Sequence, residues 1–142
     1  MSILNRPTVG VPVPRPTVLS KPFWDACASG ELTFQRCGNC DKSVFPPEAA
    51  CTRCLSPDLL WERSSGQGEI HTYTVIHRAQ QPAFSTPYAV AIVELSEGWY
   101  ISTNVVDLDD AEISVGLPVK VLFIDIGEGI SLPTFHPDKG AS

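Results

Sequence analysis

Two C-x2-C pairs in the first half, five strand-like runs crowded between residues 69 and 135, and a proline-dense opening predict a mainly β protein. Along the 142 residues the expected order is an extended arm over 1–18, a helix plus a metal ribbon over 19–64, and a five-stranded barrel with a C-terminal tail over 65–142. That length suits one compact domain or two small modules.

Pro7, Pro12, Pro14 and Pro16 each fix their own φ and push the preceding residue toward extended geometry, so no helix forms in the arm. Two readings of it stay open: a disordered leader, or a strap over a partner anchored by Val9, Val11, Val13 and Val18. Ser20 then offers an N-cap and Pro22 is tolerated in a first turn. Leu19, Phe23 and Cys27 recur at i, i+4, and Gly30 supplies a stop, which predicts a helix over 20–29.

Short β segments follow at Leu32 to Arg36, Ser43 to Phe45 and Leu59 to Arg63, interrupted by the cysteine pairs and Pro46-Pro47. This module is too small to bury an adequate core alone. After the break at Ser64-Ser65-Gly66-Gln67-Gly68, strands are expected over Glu69 to Arg78, Tyr88 to Leu95, Trp99 to Val106, Val119 to Ile126 and Ile130 to Phe135. The hairpin signals Ser96-Glu97-Gly98 and Gly127-Glu128-Gly129 join them into a small closed barrel, for which an OB-fold is the choice. Residues 107–116 fall where such barrels place a helix or long loop, but the Asp107-Leu108-Asp109-Asp110 start predicts a turn.

The formal charge is -6 and the pI about 4.9, which disfavours a binder of nucleic-acid phosphates. Only 18% of residues are charged against 43% hydrophobic, so part of the surface is expected to meet another protein. No apolar run approaches the ~18–20 residues of a membrane span, and the N-terminus has no signal-peptide core. The expected setting is the cytosol, without membrane attachment. There, an odd count of five cysteines argues against a disulfide framework.

Cys37-Gly38-Asn39-Cys40 and Cys51-Thr52-Arg53-Cys54 stand ten residues apart. Two residues between cysteines let a tight turn aim both thiolates at one point, and a second such turn completes a tetrahedron around zinc. Iron in a rubredoxin-like site and four buried free thiols are the alternatives. Gly38 is expected to relieve the first turn and Arg53 to take a helical or bridge conformation in the second. Four thiolates fill the shell, so the metal is structural. Zinc with four thiolates carries a formal -2, which Arg36, Lys42 and Arg53 are placed to offset.

No catalytic residue is readable. His71, His77 and His136 lack a nucleophile at a recognisable spacing, and Cys27, on an apolar helix stripe, is expected to be packed and inert. There is no dinucleotide-binding or Walker loop. Tyr73, Phe84, Tyr88, Trp99 and Tyr100 gather in the barrel segment; without a basic track they read as core or partner-facing rather than base-stacking. A zinc-ribbon OB-fold module for single-stranded nucleic acid is the alternative function, and a self-contained esterase or thioesterase has least support.

The order Pro22-Phe23-Trp24, Gly30-Glu31-Leu32, C-x2-C, Phe45-Pro46-Pro47, C-x2-C and Gly66-Gln67-Gly68 before an all-β barrel resembles the family called domain of unknown function 35 (DUF35). The likeness covers about residues 19–135. It implies a rubredoxin-like zinc ribbon joined to an OB fold, with Cys37, Cys40, Cys51 and Cys54 as the zinc ligands. It further implies a non-catalytic subunit docked to a thiolase-like protein, in some cases alongside a MaoC-like hydratase. Such a subunit shapes an acyl-CoA channel for retro-aldol cleavage or thiolysis, including in steroid or other lipid breakdown. His77, Arg78 and Phe84 flank the first barrel loop, where a CoA phosphate or adenine could meet charge and stacking; their other reading is ordinary rim residues.

Overall fold

The computed structural model describes residues 2–140. Its first regular element is α1 (Lys21–Ala28), whose Phe23 and Cys27 are buried. The expected cap differs: Ser20 makes no capping hydrogen bond, and its hydroxyl instead accepts from the Thr17 N–H at 2.9 Å. Ser20 already has helical φ and ψ, so its side chain turns back onto the preceding turn rather than forward to the helix amides.

Three ribbon strands follow: β1 (Thr33–Cys37), β2 (Ser43–Val44) and β3 (Leu59–Arg63), paired antiparallel in the order β2-β1-β3. The barrel then runs through β4 (Gln67–Ile76), β5 (Tyr88–Leu95), β6 (Tyr100–Val105), β7 (Pro118–Asp125) and β8 (Ser131–Pro137). These close in the order β4-β5-β6-β8-β7, with β6 and β8 parallel and β4 returning to β7. This is the OB arrangement expected from the sequence. A bulge between Ile70 and Thr72 gives β4 the bend that closure requires. At Gly68 a Cβ would lie 2.4 Å from the Glu94 carbonyl oxygen, so only glycine lets β4 approach β5 this closely. Residues 107–116 form turns, ordered by Asp109, whose carboxylate accepts from the Ala111 N–H at 2.9 Å.

One hydrophobic core joins ribbon to barrel. Leu32 and Phe34 share it with Phe23 and Cys27 of α1 and with Ile70, Val93, Trp99, Val119 and Phe135 of the barrel region. Trp99 stands at the junction, stacked on Phe34 with centroids 5.3 Å apart and tilted against Phe45 at 4.8 Å. Its indole N–H donates to the Ser64 hydroxyl at 3.3 Å, and that hydroxyl donates to Glu97. The small ribbon therefore solves its shortage of apolar burial by borrowing the barrel's core.

The arm lies on the protein's own barrel instead of forming a free leader. The Leu4 N–H donates to the Leu108 carbonyl at 2.8 Å, the Asn5 N–H to that of Pro87 at 2.9 Å, and Arg6 forks onto the Asp107 carboxylate at 2.8 and 2.5 Å. Leu4, a residue the valine pattern did not single out, is fully buried. Of the four valines, Val11 is buried and Val13 half-buried, while Val9 and Val18 are exposed. Leu4→Ala is expected to lower stability by about 2–5 kcal/mol, the range for deleting a buried leucine side chain. Urea unfolding checks this, and a loss near zero would mean that the arm adds nothing to the fold.

No helix among the described residues is long and apolar enough to cross a membrane.

Candidate metal centre

The two cysteine turns are built alike. The residue after each pair, Asp41 or Leu55, takes positive φ (67° and 65°), and its N–H returns to the carbonyl of the first cysteine, at 2.9 Å for Asp41 to Cys37 and 3.0 Å for Leu55 to Cys51. The first cysteine in each then donates onward, Cys37 to the Lys42 carbonyl and Cys51 to that of Ser56. The positive φ of each turn thus sits one residue beyond the pair, and neither Gly38 nor Arg53 has one. Gly38 has a different neighbour: a Cβ there would lie 2.3 Å from an Asp58 carboxylate oxygen, so a larger residue would require the exposed Asp58 side chain to swing away. The Gly38 N–H donates to the Asp58 carbonyl at 2.7 Å, which ties the first turn to the chain leaving the second.

The four sulfurs lie within 4.8 Å of one another, with Cys37 to Cys54 at 3.6 Å and Cys40 to Cys51 at 3.5 Å. Zinc–sulfur bonds of about 2.3 Å in a tetrahedron require sulfurs about 3.8 Å apart, so the donor set fits zinc. Cys37 and Cys51 are buried with Val44 in a small cluster of their own, and Cys40 and Cys54 complete it at the surface. Zinc held by these four residues supplies cross-linking of the ribbon; every tetrahedral position is taken by sulfur, so no site for substrate remains on the metal.

Backbone amides supply much of the positive field. The Asn39 and Cys40 N–H groups donate to the Cys37 sulfur and the Arg53 N–H to the Cys51 sulfur, all at 3.4 Å. Asn39, which the sequence did not mark out, also points its side-chain amide at the Cys54 sulfur, 3.5 Å away. That bond, followed by the Ser56 N–H, brings the Cys54 thiol down to about 6. The Lys42 N–H favours the Cys40 thiolate, but burial and the neighbouring thiols outweigh it and push that thiol up to about 11. Arg36 does not serve the metal as expected: its guanidinium bonds Glu62 at 2.9 Å and the Asp41 carbonyl at 3.0 Å. Lys42 bridges the two turns by donating to the Thr52 hydroxyl at 3.0 Å.

Away from the metal, Cys27 is 1% exposed and burial pushes its thiol up to about 12, the opposite of what a nucleophile needs. Cys27→Ser is expected to cost about 1–3 kcal/mol, through a hydroxyl buried without a partner. Alkylation of the native protein should spare Cys27; rapid labelling would contradict its burial.

His77 and Arg78 are exposed just beyond β4, whereas Phe84 is half-buried, stacked on Tyr88 at 5.6 Å and packed beside Val11. The other aromatics divide between core and surface. Trp99 and Tyr88 are buried, while Tyr73 and Tyr100 are exposed, Tyr100 with His71 edge-on at 5.2 Å. Val11 lies with Ala83 and Phe84 of the β4–β5 loop and with Ile126 and Ile130 of the β7–β8 turn. Those two connections frame the cleft where OB folds take oligonucleotides, and here the protein's own arm fills it.

Residues 24–59 match the profile of the ChsH2 rubredoxin-like zinc ribbon domain, and residues 61–123 that of the ChsH2 C-terminal OB-fold domain. The chain is 36% identical over 126 residues to a probable enoyl-CoA hydratase alpha subunit of Thermomonospora curvata, covering 87% of this chain and 40% of that protein. It is 32% identical over 118 residues to the 3-oxo-4,17-pregnadiene-20-carboxyl-CoA hydratase alpha subunit of Mycobacterium tuberculosis, covering 82% and 37%. It thus spans about two fifths of the length of either relative. A DUF35 domain-containing scaffold protein of Methanothermobacter thermautotrophicus is 36% identical, with 68% of this chain and 74% of that protein covered. Among solved structures, a chain of the Ltp2-ChsH2(DUF35) aldolase superposes with a TM-score of 0.81 at 33% identity, covering 88% of this chain and 98% of that one.

Proposed function

The chain belongs to the DUF35 family, with the rubredoxin-like zinc ribbon and OB-fold domains of ChsH2, and from that premise we propose that it is a non-catalytic subunit docked to a thiolase-like partner. In this reading it helps form an acyl-CoA channel for carbon–carbon cleavage or formation, by retro-aldol or thiolytic chemistry. The observation that carries the reading is the likeness, over nearly the whole of both chains, to the DUF35 chain of an aldolase.

The chemistry of this chain agrees with a supporting role. Its metal shell is closed by four sulfurs and its remaining cysteine is buried and protonated, so neither offers a reacting group. The side chains it does offer are suited to contact. Val90, Ile92 and Tyr100 are exposed on β5 and β6, and across the ladders Ile92 is opposed by Thr72 and Ser102 and Val90 by Thr74 and Asn104. The face is uncharged around Val90 and Ile92 and becomes acidic at the Tyr100 edge, where Glu94 opposes Tyr100 and Glu69 opposes Glu94; an apolar centre with a charged rim has the composition of an interface. A MaoC-like hydratase is a further partner, in keeping with the names of the two longer relatives, one of which also names a steroid-type acyl-CoA. His77 and Arg78, exposed beside the arm-filled cleft, are the proposed contacts to CoA, with Phe84 as their packed support.

Co-expression with a thiolase-like protein encoded beside this one tests the reading. The expected result is a co-purifying complex whose acyl-CoA turnover needs both chains, with Arg78→Ala raising KM up to about tenfold while kcat holds. A partner that is soluble, fully active and unassociated without this chain would sink the proposal.

A further inference from the structure

Beside the turn that follows β6, strands β7 and β8 and the residues after them line a cavity of about 370 Å³ made by Asp107, Lys120, His136, Pro137, Asp138 and Lys139. Lys120 and His136 are direct cross-strand partners, so both side chains rise from the same face of the sheet. Lys139 joins them from a turn. The Asp138 N–H donates to the Pro118 carbonyl at 3.0 Å, and the Asp138 carboxylate accepts from the Gly140 N–H at 3.1 Å.

Both acids of the cavity are already engaged. Asp107 holds the arm's Arg6 through two bonds, and Asp138 holds its own turn. The cations Arg6, Lys120 and Lys139 against the two carboxylates leave a formal +1, in a chain whose total is -6. Among the described residues neither lysine has a carboxylate within ion-pair distance, a state they share with Arg15, Lys42, Arg53 and Arg78; what sets them apart is that both line one cavity together with His136. Two ammonium groups without ion-pair partners and an imidazole, all lining one open cavity, offer donors for a compact, multiply charged oxyanion.

We propose that Lys120, His136 and Lys139 form a subsite for a phosphate group, the phosphate being that of a nucleotide ligand. The donor set calls for a compact, multiply charged oxyanion; that it is a phosphate of a nucleotide rests on the acyl-CoA reading, since CoA carries a ribose phosphate monoester. The arm takes part indirectly, because Arg6 withdraws the Asp107 charge that would otherwise repel the anion.

Calorimetric titration of the full chain at low salt, with inorganic phosphate and with adenosine 3′,5′-bisphosphate, tests this. The expected result is saturable binding of the bisphosphate, tighter than inorganic phosphate and weakened by added salt. Lys120→Ala and Lys139→Ala should each weaken it about tenfold, as loss of one charge-assisted contact implies. Lys21→Ala removes the same charge from exposed α1 and should leave affinity unchanged, which separates a site from general attraction. Equal affinity in all four proteins, or no binding of either probe, would overturn the subsite. The two proposals fail separately. Lysine-dependent binding in a chain that joins no thiolase-like partner keeps the subsite and removes the function proposed above; an active complex whose chain binds neither probe does the reverse.

Discussion

Replacing Cys37 with serine will abolish stoichiometric zinc binding and unfold the ribbon. Cys37 is the last residue of β1, 2% exposed, and its sulfur accepts from two backbone amides. A neutral hydroxyl in its place leaves three thiolates and an open tetrahedron. Zinc binding contributes about 10–16 kcal/mol in isolated zinc modules, as large as the whole stability of an ordinary domain, and the cluster around Cys37, Val44 and Cys51 has little else to hold it. The damage will spread along β1 to Phe34 and from there to Trp99. Metal analysis should fall from one zinc per chain to almost none, with amide exchange accelerated over residues 33–63. A variant that retains one zinc and native protection would show that three sulfurs suffice.

Trp99→Ala will cost about 3–5 kcal/mol, the range for an aromatic side chain deleted from a core. Three interactions go together here: the stack on Phe34, the contact with Phe45 and the indole bond to Ser64. Because these link ribbon to barrel, the unfolding transition should also broaden as the two parts lose cooperativity. Trp99→Phe keeps a ring between Phe34 and Phe45 and gives up mainly the hydrogen bond, so its loss should be near 1 kcal/mol. Denaturant unfolding of both variants separates packing from hydrogen bonding, and equal losses would remove packing as the cause.

The same junction has an acid-sensitive member. Burial alone would raise the Glu97 carboxyl, but the Ser64 hydroxyl and Ser65 amide outweigh it and hold it below its usual range. A carboxyl lowered in the folded state stabilises above its unfolded value of about 4.3 and loses that contribution as pH falls through the lower folded value. Partial exposure keeps the effect small.

Local chemistry carried the sequence reading a long way. The spacing of Cys37, Cys40, Cys51 and Cys54 specifies a four-sulfur site because the reach of one tight turn limits where two thiolates can point. The expected strand Tyr88 to Leu95 coincides with β5 end to end, its buried Ala89, Ala91, Val93 and Leu95 repeating every second residue. The turn at residues 107–116 was legible in its aspartates, and the buried Cys27 in its helical stripe with Phe23.

Tertiary structure decided everything that depends on residues distant in the chain. Gln67 pairs with Lys120 to close the barrel, and Val105 meets Phe135 in parallel; neither register leaves a local pattern. Leu4 looks like any isolated leucine until the barrel gives it a place, and Gly38 looks like a turn glycine until Asp58 arrives against it. The phosphate subsite is the extreme case, since Lys120, His136 and Lys139 become neighbours only when β7 and β8 pair and the following turn folds back. Sequence alone fixes the chemistry that fits within a turn or a single strand. Chemistry assembled across the sheet depends on which strands the burial of Trp99, Phe34 and Phe135 brings together.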